Sequence, residues 1–344
     1  MKALRSLDAA SWFALFLALL LSACAVDGGL SAGSTLRNVD NDVLDKTDDQ
    51  YTSGISLSYV SETLEQFEDG PLPGSFGRWL DERWPFVEQQ QRFVIWSVAQ
   101  RLFTPTDLAA TEVVEGDLPY SGLLYGTLTT GSQSRDRLDA FSLTAGVVGP
   151  LALGKEVQTA VHRAIGSEIP QGWDNQLDNE PLVNVGYDQR RRLLRVGSPH
   201  GFGADLLTGL SASAGNLQTQ LSLGATVRAG LRVPSNFHMQ APFLTEEALG
   251  LRAYDVCACT WAAYLFGGVG ATALANAIYL DGNTFSDSAS VDHDSYILRG
   301  TFGGALRYEQ VLLSIAMETA TIPWEQPDGL DRETFARFSL SFDF

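Results

Sequence analysis

From residue 34 onwards the chain alternates apolar and polar positions. In TFARFSLSFDF at the C-terminus, Phe338, Leu340, Phe342 and Phe344 occupy every second place, with Arg337, Ser339, Ser341 and Asp343 between them. Successive side chains of an extended strand point to opposite faces, so this segment has one apolar and one polar face. Segments of about ten residues with the same alternation, separated by turn residues, are the pattern of strands that cross a membrane as a closed barrel. On the edge of a soluble sandwich such a strand would invite aggregation. The pattern predicts strands over 34–42, 52–61, 91–101, 119–130, 138–148, 181–190, 205–214, 217–231, 257–273, 295–308, 310–320 and 334–344. The expected fold is all-β: a twelve-stranded antiparallel transmembrane β-barrel with both termini on the periplasmic side.

Connection lengths set the expected orientation. Short turns near SRDR (134–137), DQRR (188–191) and YEQ (308–310) belong to the periplasmic end. The connections 43–51, 149–180, 274–294 and 321–333 fall on the extracellular side. Two connections break the rule: a tight outer turn at Gly215-Asn216, and the long inner segment 62–90. The latter carries Phe67, Phe76, Trp79, Trp84 and Phe86 among charges and reads as an interfacial belt or short helix.

The first 25 residues stand apart. Lys2 and Arg5 precede an apolar core from Ala9 to Leu21, the form of a bacterial export signal and too short for a membrane span. Leu21-Ser22-Ala23-Cys24 resembles a lipobox, which would leave Cys24 lipidated; Ala23-Cys24-Ala25 instead fits cleavage before Val26. Residues 26–344 then form the barrel domain. The chain carries 23 Lys and Arg against 41 Asp and Glu, a formal net charge of −18, which argues against nucleic acid as a partner. Cys257 and Cys259, two apart along a strand, are expected to be small wall residues rather than a disulfide or zinc ligands.

One outer connection changes pattern. In GKEVQTAVHRAIGSEIPQGWDNQLDNEP (154–181), Val157, Val161, Ala164 and Ile165 recur at helical spacing, which predicts a short helix in an extracellular loop. Gln158 and His162, four apart, share one side of it. Gly166 can end the helix and let Glu168 turn back towards the imidazole. A histidine beside a carboxylate and a carboxamide suits general-base activation of water; a surface histidine on an amphipathic loop helix is the plainer reading of the same residues. A second cluster, Asp40, Asn41, Asp42, Asp45, Asp48 and Asp49, offers hard oxygen donors to calcium without the spacing of an EF-hand, and serves equally as a solvated acidic loop. The topology brings Asn41, Asp42, Thr52 and His162 to the same rim. His200 lies in a turn and His238 and His293 in loops, the last flanked by Asp292 and Asp294.

The segments DNDVLDKTDDQYTSG, AQRLFTPTD, PYSGLLYG, GVVGP, EVQTAVHRAIGSEIPQGWDNQLDNEP and LDGNTF, in that order, resemble the successive motifs of the outer-membrane lipid A deacylase family of the LpxR type. The resemblance implies hydrolysis of the ester that holds the 3′-linked acyloxyacyl chain of lipid A, in lipopolysaccharide of the outer membrane, with calcium as cofactor. It places the catalytic histidine at His162, with Gln158, Glu168, Asn41 and Thr52 beside it and Asp42 on the metal. A monomer among outer-membrane lipids is expected, and the aromatic-ended C-terminal strand resembles the one that the barrel-assembly machinery recognises. Asp40 and Ser53 stand where the family has Glu and Asn. An outer-membrane phospholipase, and a non-catalytic porin or scaffold, are the rival readings.

Overall fold

The computed structural model describes residues 33–41, 50–239, 249, 261–325 and 331–343, apart from 87 and 90. The export signal with Cys24, the acidic residues Asp42, Asp45, Asp48 and Asp49, the pair Cys257 and Cys259, and Phe344 lie outside the described residues.

The strands are β1 (Gly33–Asn41), β2 (Gln50–Ser61), β3 (Gln91–Thr104), β4 (Ser121–Gln133), β5 (Arg137–Val148), β6 (Glu180–Gly197), β7 (Phe202–Gly215), β8 (Gln218–Leu231), β9 (Trp261–Ala277), β10 (Tyr296–Tyr308), β11 (Val311–Thr321) and β12 (Arg332–Asp343). Each pairs antiparallel with its neighbours in sequence, and β1 pairs with β12, so the sheet closes on itself. Closure leaves no strand edge unpaired. Among the described residues, three α-helices lie in the connections: α1 (Gly74–Arg83), α2 (Gly154–Ile165) and the four-residue α3 (Ile278–Asp281).

The polarity is inverted relative to a soluble protein. Leu57, Val98, Leu143, Val183, Leu223, Leu265 and Phe302 stand exposed on the outside of the wall. Inward positions carry hydroxyl pairs instead: Ser58 with Ser97 at 2.8 Å, Thr127 with Thr144 at 2.9 Å, and Ser222 with Thr272 at 2.8 Å. An apolar exterior around a polar interior is what a barrel needs in lipid.

The lumen is layered. At the rim opposite the termini, Phe103 stacks on Tyr279 with ring centroids 4.1 Å apart, within an apolar cluster that includes Leu118, Ile278, Leu280, Val291 and Trp324. Below it lies a polar cavity lined by Ser56, Ser97, Arg101, Thr144, Asp188 and Ser211. The opposite end is filled by residues 233–239, which follow β8 and fold back between the strands. Phe237, Met239 and Leu249 pack there against Val60, Ile95, Leu138 and Leu207. Arginines hold this plug by its carbonyls: Arg192 donates to Ser235 and Asn236 at 2.8 Å each, Arg190 to Phe237 at 3.0 Å, and Arg228 to Asn236 at 3.0 Å. The fully buried Arg228 is neutralised by Asp205, with Nη2 2.6 Å from Oδ2.

Several expectations change. β6 runs on to Gly197, so DQRR lies inside a strand and the turn falls at 198–201. Its lumenal arginines and a bulge between Arg192 and Leu194 break the alternation that marks a strand. β9 is described over Trp261–Ala277; residues 257–260 of the expected strand lie outside the described residues. His238 lies in a loop, as expected, but that loop is the plug and buries it: desolvation and the cations of Arg190 and Arg228 push it down to about 3, against the Leu249 backbone. The segment 62–90 holds α1 and packs on the outside of the wall near the termini, where Leu64, Phe67 and Trp84 cover Val94.

Candidate active site at the rim

Helix α2 follows β5 and is seated against the wall by the absence of side chains. A Cβ on Gly122 of β4 would lie 3.2 Å from the Gly154 Cα, and one on Gly154 would meet the Trp173 ring at 2.6 Å and Leu102 at 3.1 Å. Two glycines therefore bring helix and strand to backbone contact. Leu102 occupies the strand face of Trp96 and Val98, both exposed, so the helix lies on the outer face of the barrel rather than in the lumen. Leu102, Tyr120 and Trp173 form the apolar seat, with Val157 of the helix packed on it. Burial pushes the Tyr120 phenol up to about 12, with the charges of Asp107 and Glu168 adding to the shift and a Gly172 backbone contact opposing it. That phenol is neutral at working pH.

Gly154, Gln158 and His162 recur every four residues and so form one stripe. Gln158 and His162 are each only 2% exposed, which places the stripe against the protein, whereas Val161 faces out. Gln158 is oriented by its carbonyl oxygen, Oε1, which accepts from Trp173 Nε1 at 2.7 Å. Its buried Nε2 makes no hydrogen bond. Gly166, at φ 79° and ψ 23°, ends the helix in the left-handed region, and the His162 carbonyl accepts from the Gly166 and Ser167 amides at 2.8 and 3.0 Å. The chain thereby reverses, and His162 Nδ1 meets the backbone carbonyl of residue 168. The partner is that carbonyl and not the Glu168 carboxylate, whose residue is exposed. A ring that donates from Nδ1 to a carbonyl is held in the tautomer whose Nε2 carries no proton, the form a general base needs.

Register relates Asn41 and Thr52 to the strand beneath α2. Asn41 pairs with Ser53, Ser53 with Leu102, and Leu102 with Gly122, so one row of partners runs from the end of β1 to the strand beneath α2. Tyr51 pairs with Phe103 and Ser53 with Leu102, which makes Thr52 the extra residue of a bulge. Bulges re-aim side chains and recur beside active sites. The loops brace one another: the Leu177 amide donates to the Tyr120 carbonyl at 3.0 Å and the Gln171 amide to Leu108 at 2.9 Å. Trp173 and Tyr120 were not among the residues expected from sequence; the Trp in PQGWDN was visible, but its role as the partner of Gln158 needs the fold. The other histidines stand apart: His200 is exposed in the 198–201 turn, and His293 Nε2 lies 3.3 Å from Asp281.

The family model described as outer membrane protein LpxR matches residues 12–344, nearly the whole chain. The chain belongs to that family. Membership in the LpxR family and the closed barrel together place the protein in the bacterial outer membrane. Among solved structures, LpxR from Salmonella typhimurium superposes with a TM-score of 0.72 at 21% identity, over 90% of this chain and all of that one, and so shares the fold. The β domain of the Bordetella autotransporter BrkA covers 92% of this chain and all of that one, at 8% identity and a TM-score of 0.44, too low to bear on the fold. No curated protein sequence matches the chain.

Proposed function

We propose that the protein is a lipid A 3′-O-deacylase, a carboxylic ester hydrolase that removes the 3′-linked acyloxyacyl chain from lipopolysaccharide with the help of calcium. The observation that carries this reading is the position of His162: buried between α2 and the outer face of the wall, with Nδ1 committed to the carbonyl of residue 168. A base there serves a substrate that lies in the membrane beside the barrel, not one that passes through it. The rim opposite the termini then faces the cell exterior, where lipopolysaccharide resides. Leu151, Leu153 and Val161 are exposed around the helix and offer an apolar surface for acyl chains.

His162 Nε2 takes a proton from a water molecule as that water attacks the acyl carbonyl. The protonated ring then returns the proton to the leaving sugar oxygen, giving a free carboxylic acid and a hydroxyl at the 3′ position. Gln158, held by Trp173, presents its amide nitrogen as a donor to the developing oxyanion. Thr52, at the bulge, and Asn41, at the end of the row, supply further polar groups at the rim. The Glu168 carboxylate adds negative charge beside the helix that steadies the imidazolium.

The donor chemistry fits calcium, because Asn41 and Asp42 carry hard oxygens and Asn41 ends the register row that leads to α2. Among the described residues no group of three His, Cys, Asp or Glu is placed to hold a metal. Asp42 and Asn41 would hold the ion, with carbonyl oxygens completing the shell. Bound there, calcium would supply positive charge to polarise the ester carbonyl and stabilise the oxyanion.

Mass spectrometry of lipid A from cells expressing the protein tests the reading. The expected result is a species lighter by one acyloxyacyl chain, with phospholipids intact. Release of fatty acid from phospholipids instead would replace the proposal with a phospholipase. A lumen filled at both ends disfavours a porin.

A further inference from the structure

We propose that α1 is a membrane-interface anchor, seated in the phospholipid leaflet at the termini end of the barrel. The inference rests on the outer-membrane placement and is independent of the deacylase reading. Residues 64–86 lie on the outside of the wall, not in the aqueous space below it. The Leu64 and Arg92 backbones bond to each other at 2.8 and 2.9 Å, Trp84 Nε1 donates to Ser132 at 2.8 Å, and Trp96 on the outward face of β3 donates to the Pro71 carbonyl at 3.2 Å. Aromatic contacts continue along the wall, with Trp84 perpendicular to Phe141 at 5.7 Å and Phe86 stacked on Tyr187 at 6.3 Å.

The helix is fixed in this position by Asp81, whose carboxylate accepts from the Phe67 amide at 2.9 Å and the Glu68 amide at 3.1 Å and pairs with Arg92. Residues 76, 79 and 83 share the opposite face at helical spacing. Phe76 and Trp79 stack there at 5.7 Å, 38% and 48% exposed, and the Arg83 guanidinium sits 5.3 Å over the Trp79 ring. A protein surface in water gains nothing by presenting a stacked aromatic pair. Beside an apolar barrel exterior, the same pair is continuous with the lipid-facing belt, at the depth where Trp rings gather in membrane proteins. The cation over the ring marks the headgroup side of the pair. The occupant is therefore phospholipid, with the two rings at the level of the upper acyl chain.

Depth-dependent quenching tests this. Full-length protein and Trp79→Phe are folded into phosphatidylcholine vesicles that are unlabelled, brominated near the glycerol end of the acyl chain, or brominated near its middle. Subtracting the variant isolates Trp79 from the other six tryptophans, and retained heat-modifiable gel mobility shows that both barrels are folded. The expected result is loss of most of the Trp79 component with bromine near the glycerol end, a smaller loss with bromine near the middle, and little quenching by aqueous acrylamide. A component quenched by acrylamide and by neither lipid would place the stripe in water, and one quenched by none of the three would bury it against a second copy. Either outcome overturns the proposal.

Discussion

Trp173 Nε1 donates to Gln158 Oε1 across 2.7 Å, and this one bond decides which end of a buried amide faces the site. With the oxygen committed, only the Nε2 donor remains for a substrate oxyanion. Trp173→Phe keeps the aromatic seat and removes the donor, leaving the amide free to flip. A buried unsatisfied acceptor costs about 1–3 kcal/mol. If that cost falls on the transition state, kcat drops by about five- to a hundredfold with KM little changed. Steady-state kinetics on lipid A separates this from simple unfolding, which lowers the amount of active enzyme and not its turnover.

The approach of α2 to the wall should be as sensitive. Gly154→Val places two methyl groups where Trp173 and Leu102 already stand. Overpacking of this kind costs about 1–3 kcal/mol, and here the helix can relieve it by lifting from β4. Activity should fall by at least about tenfold while the barrel keeps its heat-modifiable mobility, because no wall hydrogen bond is touched. Wild-type turnover in this variant would show that the helix seat does not position His162.

The plug makes a prediction about the lumen. Planar bilayers holding the wild-type protein should show no steady conductance. Removing one partner of a buried ion pair costs about 3–5 kcal/mol and leaves the other charge uncompensated. Arg228→Ala, which among the described residues leaves Asp205 with only Arg192 at 3.4 Å and releases four plug contacts, should therefore open channels. Deacylation by that variant should be near normal, since α2 stands at the other end of the barrel. Silent bilayers with Arg228→Ala would mean that packing of Phe237 alone closes the lumen.

How much of this the sequence revealed depended on whether a residue's role is set by local period. The alternation of Phe338, Leu340 and Phe342 is a property of any strand, and it reads directly. So does the helical spacing of Gln158 and His162. β6 was cut short because its lumenal arginines, Arg190 and Arg192, and the bulge after them disguise the alternation. The plug has no signature in the sequence because VPSNFHM has no period at all: its backbone is satisfied by arginine side chains of β6 and β8. The contact of His162 with a carbonyl rather than the Glu168 carboxylate follows from the left-handed turn at Gly166, which the sequence permits without dictating its outcome. His238, expected to be inert on a loop, is now expected to be inert for catalysis yet costly for the plug when replaced.

Calcium dependence is proposed from the donors at the end of β1. Chelation should abolish hydrolysis, and readdition of calcium should restore it. Asp42→Ala should raise the calcium concentration needed for half-maximal activity, because a carboxylate is the strongest single donor in such a shell. Activity that persists in excess chelator would remove the ion from the mechanism and leave the 42–49 segment as a solvated acidic loop.

The most direct test is the turnover of His162→Ala, measured as release of the 3′-linked chain from lipid A by protein whose barrel is shown to be folded. Loss of a general base costs about 10²–10⁴-fold in rate. The ring belongs to a loop helix and not to the hydrogen-bonded ladder of the wall, so the variant should fold, insert and show that loss in kcat. Wild-type release by a folded His162→Ala barrel would contradict the account, leaving α2 as a lid over a site whose chemistry lies elsewhere.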